Sequence, residues 1–324
     1  MGHAHVRRSP RIEADDVTSK DLDRAARRLS VRSRREATGL FAGNYASAFR
    51  GGGLEFEESR PYVPGDDVRN IDQVTTARTG EPFVKRFREE RNHTLIFALD
   101  TSASMRFGAH GRSKATAAAH ALALIATAAG RAGDRTALVT FDRGVRTQVP
   151  VGRGLAHTWS LIRATAAAAA TPEGDTRIAA GVRGLLVHTR HPATVVLFSD
   201  FRDPSLLTTS GEAGGLRRVL APLMQRCDVI AGIVVDPREE NVPNVGPLRL
   251  ADPEIPGQTV VLDTGSRRVR ALYRAAAQAR RRQISRDLRR SGADPLWLRS
   301  DCNPLHALGR FFEERAGRRG RILA

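Results

Sequence analysis

His93-Thr94-Leu95-Ile96-Phe97-Ala98-Leu99-Asp100-Thr101-Ser102-Ala103-Ser104 is the stretch that decides how this chain folds. Leu95 to Leu99 is an unbroken apolar run, and with its flanks it has the length of a strand buried on both faces. An Ala-rich helical stretch follows at about 113–130. The alternation then repeats, with strands expected at Arg135 to Phe141, near Val145 to Val149, at Thr194 to Ser199, Val229 to Val235 and Leu296 to Arg299. Helices are expected at 155–170, from about Ile178, at Leu216 to Gln225, at about 266–291 and at about 304–316. Apolar strands separated by helices predict an α/β fold: a doubly wound, mostly parallel sheet of about six strands covered on both faces. A Pro/Gly-punctuated stretch at about 240–263 reads as an inserted hairpin.

Working outward, residues 1–35 are charged and read as loosely held, with room for one amphipathic helix around Leu22 to Leu29, and 36–91 read as an appendage of loops and short strands. The main domain is expected at 92–316, with a basic tail at 317–324. The 324 residues carry a formal net charge of +17, which raises nucleic acid or an acidic protein as partner. Only Lys20, Lys85 and Lys114 are lysines, so the excess is almost wholly Arg, a bias that GC-rich coding alone produces. Two cysteines, Cys227 and Cys302, form no disulfide framework and imply a reducing compartment, hence the cytoplasm. Ala115 to Gly130 is interrupted by His120 and is shorter than the roughly 20 residues of a bilayer span, so no membrane span is expected. Arg7, Arg8 and Arg11 precede no apolar run of the kind a signal peptide needs.

In doubly wound sheets ligands bind beyond the carboxyl ends of the strands. There Asp100, Ser102 and Ser104, at i, i+2 and i+4 of an extended loop, point one way. Hard oxygen ligands of this kind suit Mg²⁺ or Mn²⁺ better than zinc, although either serine could instead cap the next helix. Thr176 adds a hydroxyl in the loop before the helix at Ile178, and Asp200 ends another strand. Together Asp100, Ser102, Ser104, Thr176 and Asp200 resemble the metal-ion-dependent adhesion site of the von Willebrand factor type A domain. The resemblance implies that Ser102, Ser104 and Thr176 contact the metal directly, that Asp100 and Asp200 act largely through water, and that one position remains for a partner's Glu or Asp.

Upstream, Glu55-Phe56, Ser59-Arg60-Pro61-Tyr62-Val63-Pro64-Gly65-Asp66-Asp67-Val68-Arg69, Ile71-Asp72 and Ala77-Arg78 resemble the hallmark of the domain-of-unknown-function-58 family of bacterial proteins, which carries a type A domain. Val235-Asp236-Pro237-Arg238-Glu239, Pro243 with Gly246, and Val261 to Thr264 extend the likeness over roughly 50–315. Gln73 departs from the family's usual Trp. The resemblance implies a non-enzymatic, metal-dependent adaptor or substrate-binding partner of a MoxR-type AAA+ ATPase. It assigns no chemistry to Arg60, Tyr62, Gly65, Asp66, Asp67, Arg69 and Asp72. Their dense charge beside a turn reads as a buried clamp joining appendage to sheet, with an exposed docking surface as the alternative.

Two rivals come from other classes. An Asp100 nucleophile, as in haloacid dehalogenase phosphatases, requires a second Asp where Ser102 stands. A nucleic-acid binder would use the helix at 266–292, which holds ten Arg against the single acid Asp287. Val269, Leu272, Tyr273, Ala276, Ile284 and Leu288 form its expected inward stripe, leaving Arg267, Arg270, Arg274, Arg281, Arg282 and Arg289 as a basic surface. Aromatic residues are not interleaved with these Arg, so a stacking platform for single strands is unsupported. Gly108 to Lys114 lacks the spacing of a phosphate loop, and Lys114 reads as a solvated helix-face residue.

Overall fold

The computed structural model describes residues 19–49, 54–89, 93–109, 112–189, 191–203, 206, 215–255 and 257–322. Six strands form the central sheet: β3 (Thr94–Asp100), β6 (Arg135–Phe141), β7 (Val145–Gly152), β8 (Ala193–Ser199), β9 (Cys227–Val235) and β12 (Asp294–Arg299), in the order β12-β9-β8-β3-β6-β7. All neighbours are parallel except β7, which runs antiparallel to β6 at the edge. The α/β, doubly wound, mostly parallel architecture expected from the sequence is what the chain adopts.

Side chains alternate across each strand, so the continuous apolar runs feed two cores. Leu95, Phe97 and Leu99 of β3 face the layer built by α2 (Leu40–Phe49), α4 (Lys114–Ala132), α5 (Leu155–Ala170) and α10 (Pro304–Ile322). Ile96 and Ala98 face α6 (Ile178–Leu186), α7 (Gly215–Met224) and α9 (Arg267–Ser291). Helix α4 is buried nearly throughout, from Lys114 to Ala129. Its small Ala side chains let it lie close to the sheet while other helices cover it.

The N-terminal region is held more firmly than expected at 1–35, and the helix expected around Leu22 to Leu29 is longer. Residues Ser19–Glu36 form α1, which packs on α4 and α5. Helix α2, expected to be loop, packs on α10 through Phe41, Tyr45 and Phe49 around the fully buried Phe312. The burial of α2 depends on an aromatic partner far along the chain, which no local pattern reveals. Helix α10 continues through Ile322, so residues 317–322 of the expected basic tail are helical. Residues 1–18 and 323–324 lie outside the described ones.

Between α2 and β3, strands β1 (Leu54–Pro61) and β2 (Phe83–Glu89) pair antiparallel and enclose the short helix α3 (Gln73–Thr79). Two-residue strands β4 (Gly108–Ala109) and β5 (Arg112–Ser113) lead into α4. The short helix α8 (Pro237–Glu240) follows β9, and the inserted hairpin is present as β10 (Pro247–Ala251) paired with β11 (Thr259–Asp263).

Helix α9 bears out the expected inward stripe in part: Ile284 and Leu288 pack on the core and Val269 and Tyr273 are half-buried, whereas Leu272 and Ala276 are exposed. Of its side chains only Leu288 is buried, and Leu272 is 62% exposed. Twenty-five residues rise roughly 37 Å, far more than a sheet of short strands can cover, so much of the helix stands clear of it.

Candidate metal centre and its buried cation

The site assembles where two loops part around the central strand. β3 delivers Asp100 and β8 delivers Ser199 and Asp200, both at carboxyl ends, which is where ligand sites arise in doubly wound sheets. Ser102, Ser104, Thr176 and Asp200 are buried with Asp100. Ser102 Oγ lies 3.2 Å from Ser104 Oγ and 2.8 Å from Thr176 Oγ1. The three hydroxyls expected from sequence therefore meet.

Backbone bonds fix this convergence. Ala103 N donates to Gly174 O, Glu173 N to Thr101 O, and Arg177 N to Asp142 O, lacing the Thr176 loop to the loops after β3 and β6. Gly174, at φ 74°, makes a bend that a larger residue would strain, and a Cβ there would meet the Asp142 carboxylate. Asp203 accepts from Ile178 N at 2.8 Å and so caps α6 beside Thr176. Phe201 sits at φ 56° directly after Asp200, a left-handed conformation uncommon for an aromatic residue. That turn lets Phe201 N donate to Ser199 Oγ and Arg202 N donate to Asp200 Oδ1.

The two carboxyls have different environments. Asp100 accepts from Ser102 N at 2.9 Å and from Ser199 Oγ at 2.5 Å. Burial and the neighbouring Asp200 charge nevertheless push it up to about 7, because the hydrogen bonds only partly offset them. Burial also pulls Asp200 upward, but the Lys114 ammonium and Arg202 outweigh it and hold the carboxyl below its usual range.

Lys114 corrects the solvated-face reading. It is 0% exposed, and its Nζ donates to Asp200 Oδ2 at 2.6 Å and to Glu239 Oε1 at 2.8 Å. Glu239 also accepts from Asp236 N in the capping box that starts α8, and Arg202 lies 3.1 Å from it. The residues that sequence reasoning missed are thus Lys114, Ser199, Asp203, Glu239 and Glu254. Glu254, on the β10–β11 loop, accepts from Thr176 Oγ1 at 2.6 Å and Thr176 N at 3.1 Å. The Asp236-Pro237-Arg238-Glu239 motif was a usable signal for Glu239; nothing local marked Glu254.

This donor set suits a small, hard divalent cation: three hydroxyl oxygens converge beside two buried carboxyls whose repulsion a cation would relieve. Among the described residues no three His, Cys, Asp or Glu side chains group as a metal cluster, so the site depends on its hydroxyls.

The family motif holds the appendage to itself. Arg60 makes a fork to Asp66 at 2.7 and 2.8 Å, and Asp72 accepts from Ser59, Thr75 and Val74, capping α3. Gly65 turns at φ 109°, and Tyr62 N donates to Pro82 O. Among the described residues these bonds remain within residues 59–83 and form a clamp inside the hairpin. Asp67 and Gln73 are exposed, and the Arg69 side chain lies outside the described ones.

The proposed basic surface divides. Arg270 donates to Thr264 O and Gly265 O, Arg274 to Asn241, and Arg281 pairs with Glu240 while lying over Trp297. Arg267, Arg282 and Arg289 are exposed.

The profile of the family described as "Protein of unknown function DUF58" matches residues 58–283, most of the chain. The chain belongs to the DUF58 family. The matched segment contains the appendage motif from Glu58 onward and Asp100, Ser102, Ser104, Thr176 and Asp200. Among relatives, uncharacterized proteins of Mycobacterium tuberculosis H37Rv and Mycobacterium bovis are each 30% identical over 315 residues, covering 97% of this chain and 95% of theirs. Similar solved structures include BatB from Bacteroides thetaiotaomicron, at 12% identity, covering 69% of this chain and 99% of that one with a TM-score of 0.42. The VWA domain of SpRpn10 is similar at 11% identity, covering 67% and 93%, with a TM-score of 0.35. Among the described residues of this DUF58 protein, no helix is long and apolar enough to cross a membrane.

Proposed function

We propose that this chain is a non-enzymatic, cytoplasmic protein-binding module. In this reading Mg²⁺ or Mn²⁺, held by Ser102, Ser104 and Thr176 with Asp100 and Asp200 behind water, captures an acidic side chain of a partner. The observation that carries it is the meeting of three buried hydroxyls from two loops beside two buried carboxyls. Bound there, the cation would offer an electron-poor position to an incoming carboxylate. The residues of this chain orient it: Ser199 and the Ser102 amide fix Asp100, while Lys114 and Arg202 fix Asp200. A MoxR-type AAA+ ATPase is the partner proposed on the family resemblance, since the chain has no phosphate loop of its own.

The test is affinity capture on the full chain after nuclease treatment, in Mg²⁺ and in EDTA, with Ser104→Ala alongside. An AAA+ ATPase retained by the wild type only in Mg²⁺, and lost in Ser104→Ala, supports the reading. Capture that ignores EDTA but collapses with moderate salt would overturn it in favour of the exposed Arg267, Arg282 and Arg289 and a polyanion.

A further inference from the structure

In the β10–β11 hairpin Leu248, Leu250 and Leu262 are half-buried, and among the described residues of the exposed tip only Glu254 is, between exposed neighbours Pro253 and Ile255. Its carboxylate takes both hydrogen-bond donors of Thr176, the hydroxyl at 2.6 Å and the amide at 3.1 Å, across 78 residues of chain. Among the described residues these are the hydrogen bonds that tie the tip to the body.

The tip is built to present this side chain. Asp252 Oδ1 accepts from Glu254 N at 2.8 Å and Ile255 N at 3.2 Å, an Asx turn that fixes the backbone at Glu254. Asp252 N donates to Gln258 O and Gln258 N to Ile255 O, closing the loop, and Gly257 turns at φ 85°. At the other end of the hairpin, buried Thr264 bonds Gly246 O through both its amide and its hydroxyl and accepts from Val245 N. A rigid base and a closed tip hold one acid over one hydroxyl, and that hydroxyl is a member of the candidate metal centre.

We propose that Glu254 is a chain-supplied ligand of that centre, filling in cis the position that an acidic side chain of a partner takes in trans. This rests on the metal-centre reading given under the proposed function. The Glu254 carboxylate reaches the centre through Thr176 Oγ1, which also lies 2.8 Å from Ser102 Oγ, so it sits beside the converging hydroxyls that a cation would use. A tethered acid competes at an effective concentration on the order of millimolar, so a partner must displace the hairpin tip before it can bind. The hairpin then acts as a built-in selector for partners that bind tightly enough to open it.

The test uses the full chain, Mn²⁺ as probe, and Glu254→Gln and Ser104→Ala variants, read by electron paramagnetic resonance titration and water-proton relaxation. The loop's own bonds do not use the Glu254 side chain, so Glu254→Gln keeps the fold, which circular dichroism verifies. Glu254→Gln is expected to weaken Mn²⁺ binding at least about 10-fold. It is also expected to raise the relaxivity of bound Mn²⁺ as water replaces the carboxylate, and added acetate then lowers that relaxivity in the variant but not in the wild type. As a second readout, Mn²⁺ slows tryptic cleavage after exposed Arg249 in the wild type and not in Glu254→Gln. If Glu254→Gln matches the wild type in affinity and relaxivity while Ser104→Ala loses Mn²⁺, the cis ligand is refuted and the metal centre stands. If the wild type binds no Mn²⁺, both fall.

Discussion

Lys114 Nζ lies 2.6 Å from Asp200 Oδ2, and both side chains are closed off from solvent. The first residue of α4 thus neutralises the carboxylate at the end of β8, across 86 residues of sequence. The pairing has a direct energetic consequence. Lys114→Met leaves Asp200 and Glu239 buried without their shared cation, and breaking a buried pair in this way costs ~3–5 kcal/mol. Urea denaturation of the variant would show a matching fall in stability; a loss under about 1 kcal/mol would mean that water reaches the pair.

Metal should stabilise the folded chain by mass action. At Mg²⁺ or Mn²⁺ a hundredfold above its Kd, the gain is about 2.7 kcal/mol and appears as a higher melting temperature that EDTA reverses. Ser104→Ala and Thr176→Ala should melt without that increment while keeping their secondary structure. An equal metal-dependent shift in all three proteins would place the cation elsewhere.

The appendage carries its own pH dependence. Ser59 and Thr75 donate to Asp72 and hold its carboxyl down at about 2, against an ordinary value of 3.8. A carboxyl lowered on folding contributes stability that is fully present above about 4 and is lost as the pH falls through about 2. Hydrogen exchange in β1, α3 and β2 should therefore accelerate between pH 4 and pH 2. Asp72→Asn should exchange fast at both ends of that range.

Phe312 ties the N-terminal helices to the domain, with ring centroids 5.6 Å from Phe41 and 5.2 Å from Phe49. Phe312→Ala opens a cavity in this fully buried cluster and is expected to cost ~3–5 kcal/mol in denaturant unfolding. Proteolytic release of residues 19–49 well before the sheet unfolds would be the local signature. Unchanged resistance there would show that α2 is held by other contacts.

Much of this protein was legible in its sequence because the relevant signals are short-range. The apolar runs at 95–99 and 194–199 must be buried on both faces, so they marked parallel strands and, through them, the edge where Asp100 and Asp200 end up. Ser102 and Ser104 were legible because an extended loop repeats its direction every two residues. The stripe on α9 held only in part, because periodicity says which face is apolar, not whether a neighbour covers it: Ile284 and Leu288 pack on the core while Leu272 is 62% exposed.

The sequence by itself determined the strand and helix order, the carboxyl-edge placement of Asp100 and Asp200 with the Ser102 and Ser104 hydroxyls, and the family motif. Only the tertiary structure decided that Lys114 is buried against Asp200 and Glu239, that α1 and α2 belong to the domain, and that Glu254 reaches Thr176. Chain-local patterns arise from backbone geometry that repeats within a few residues. The burial of a single charge depends on which distant elements pack over it, and one Lys or Glu reads alike whether it meets water or a buried partner.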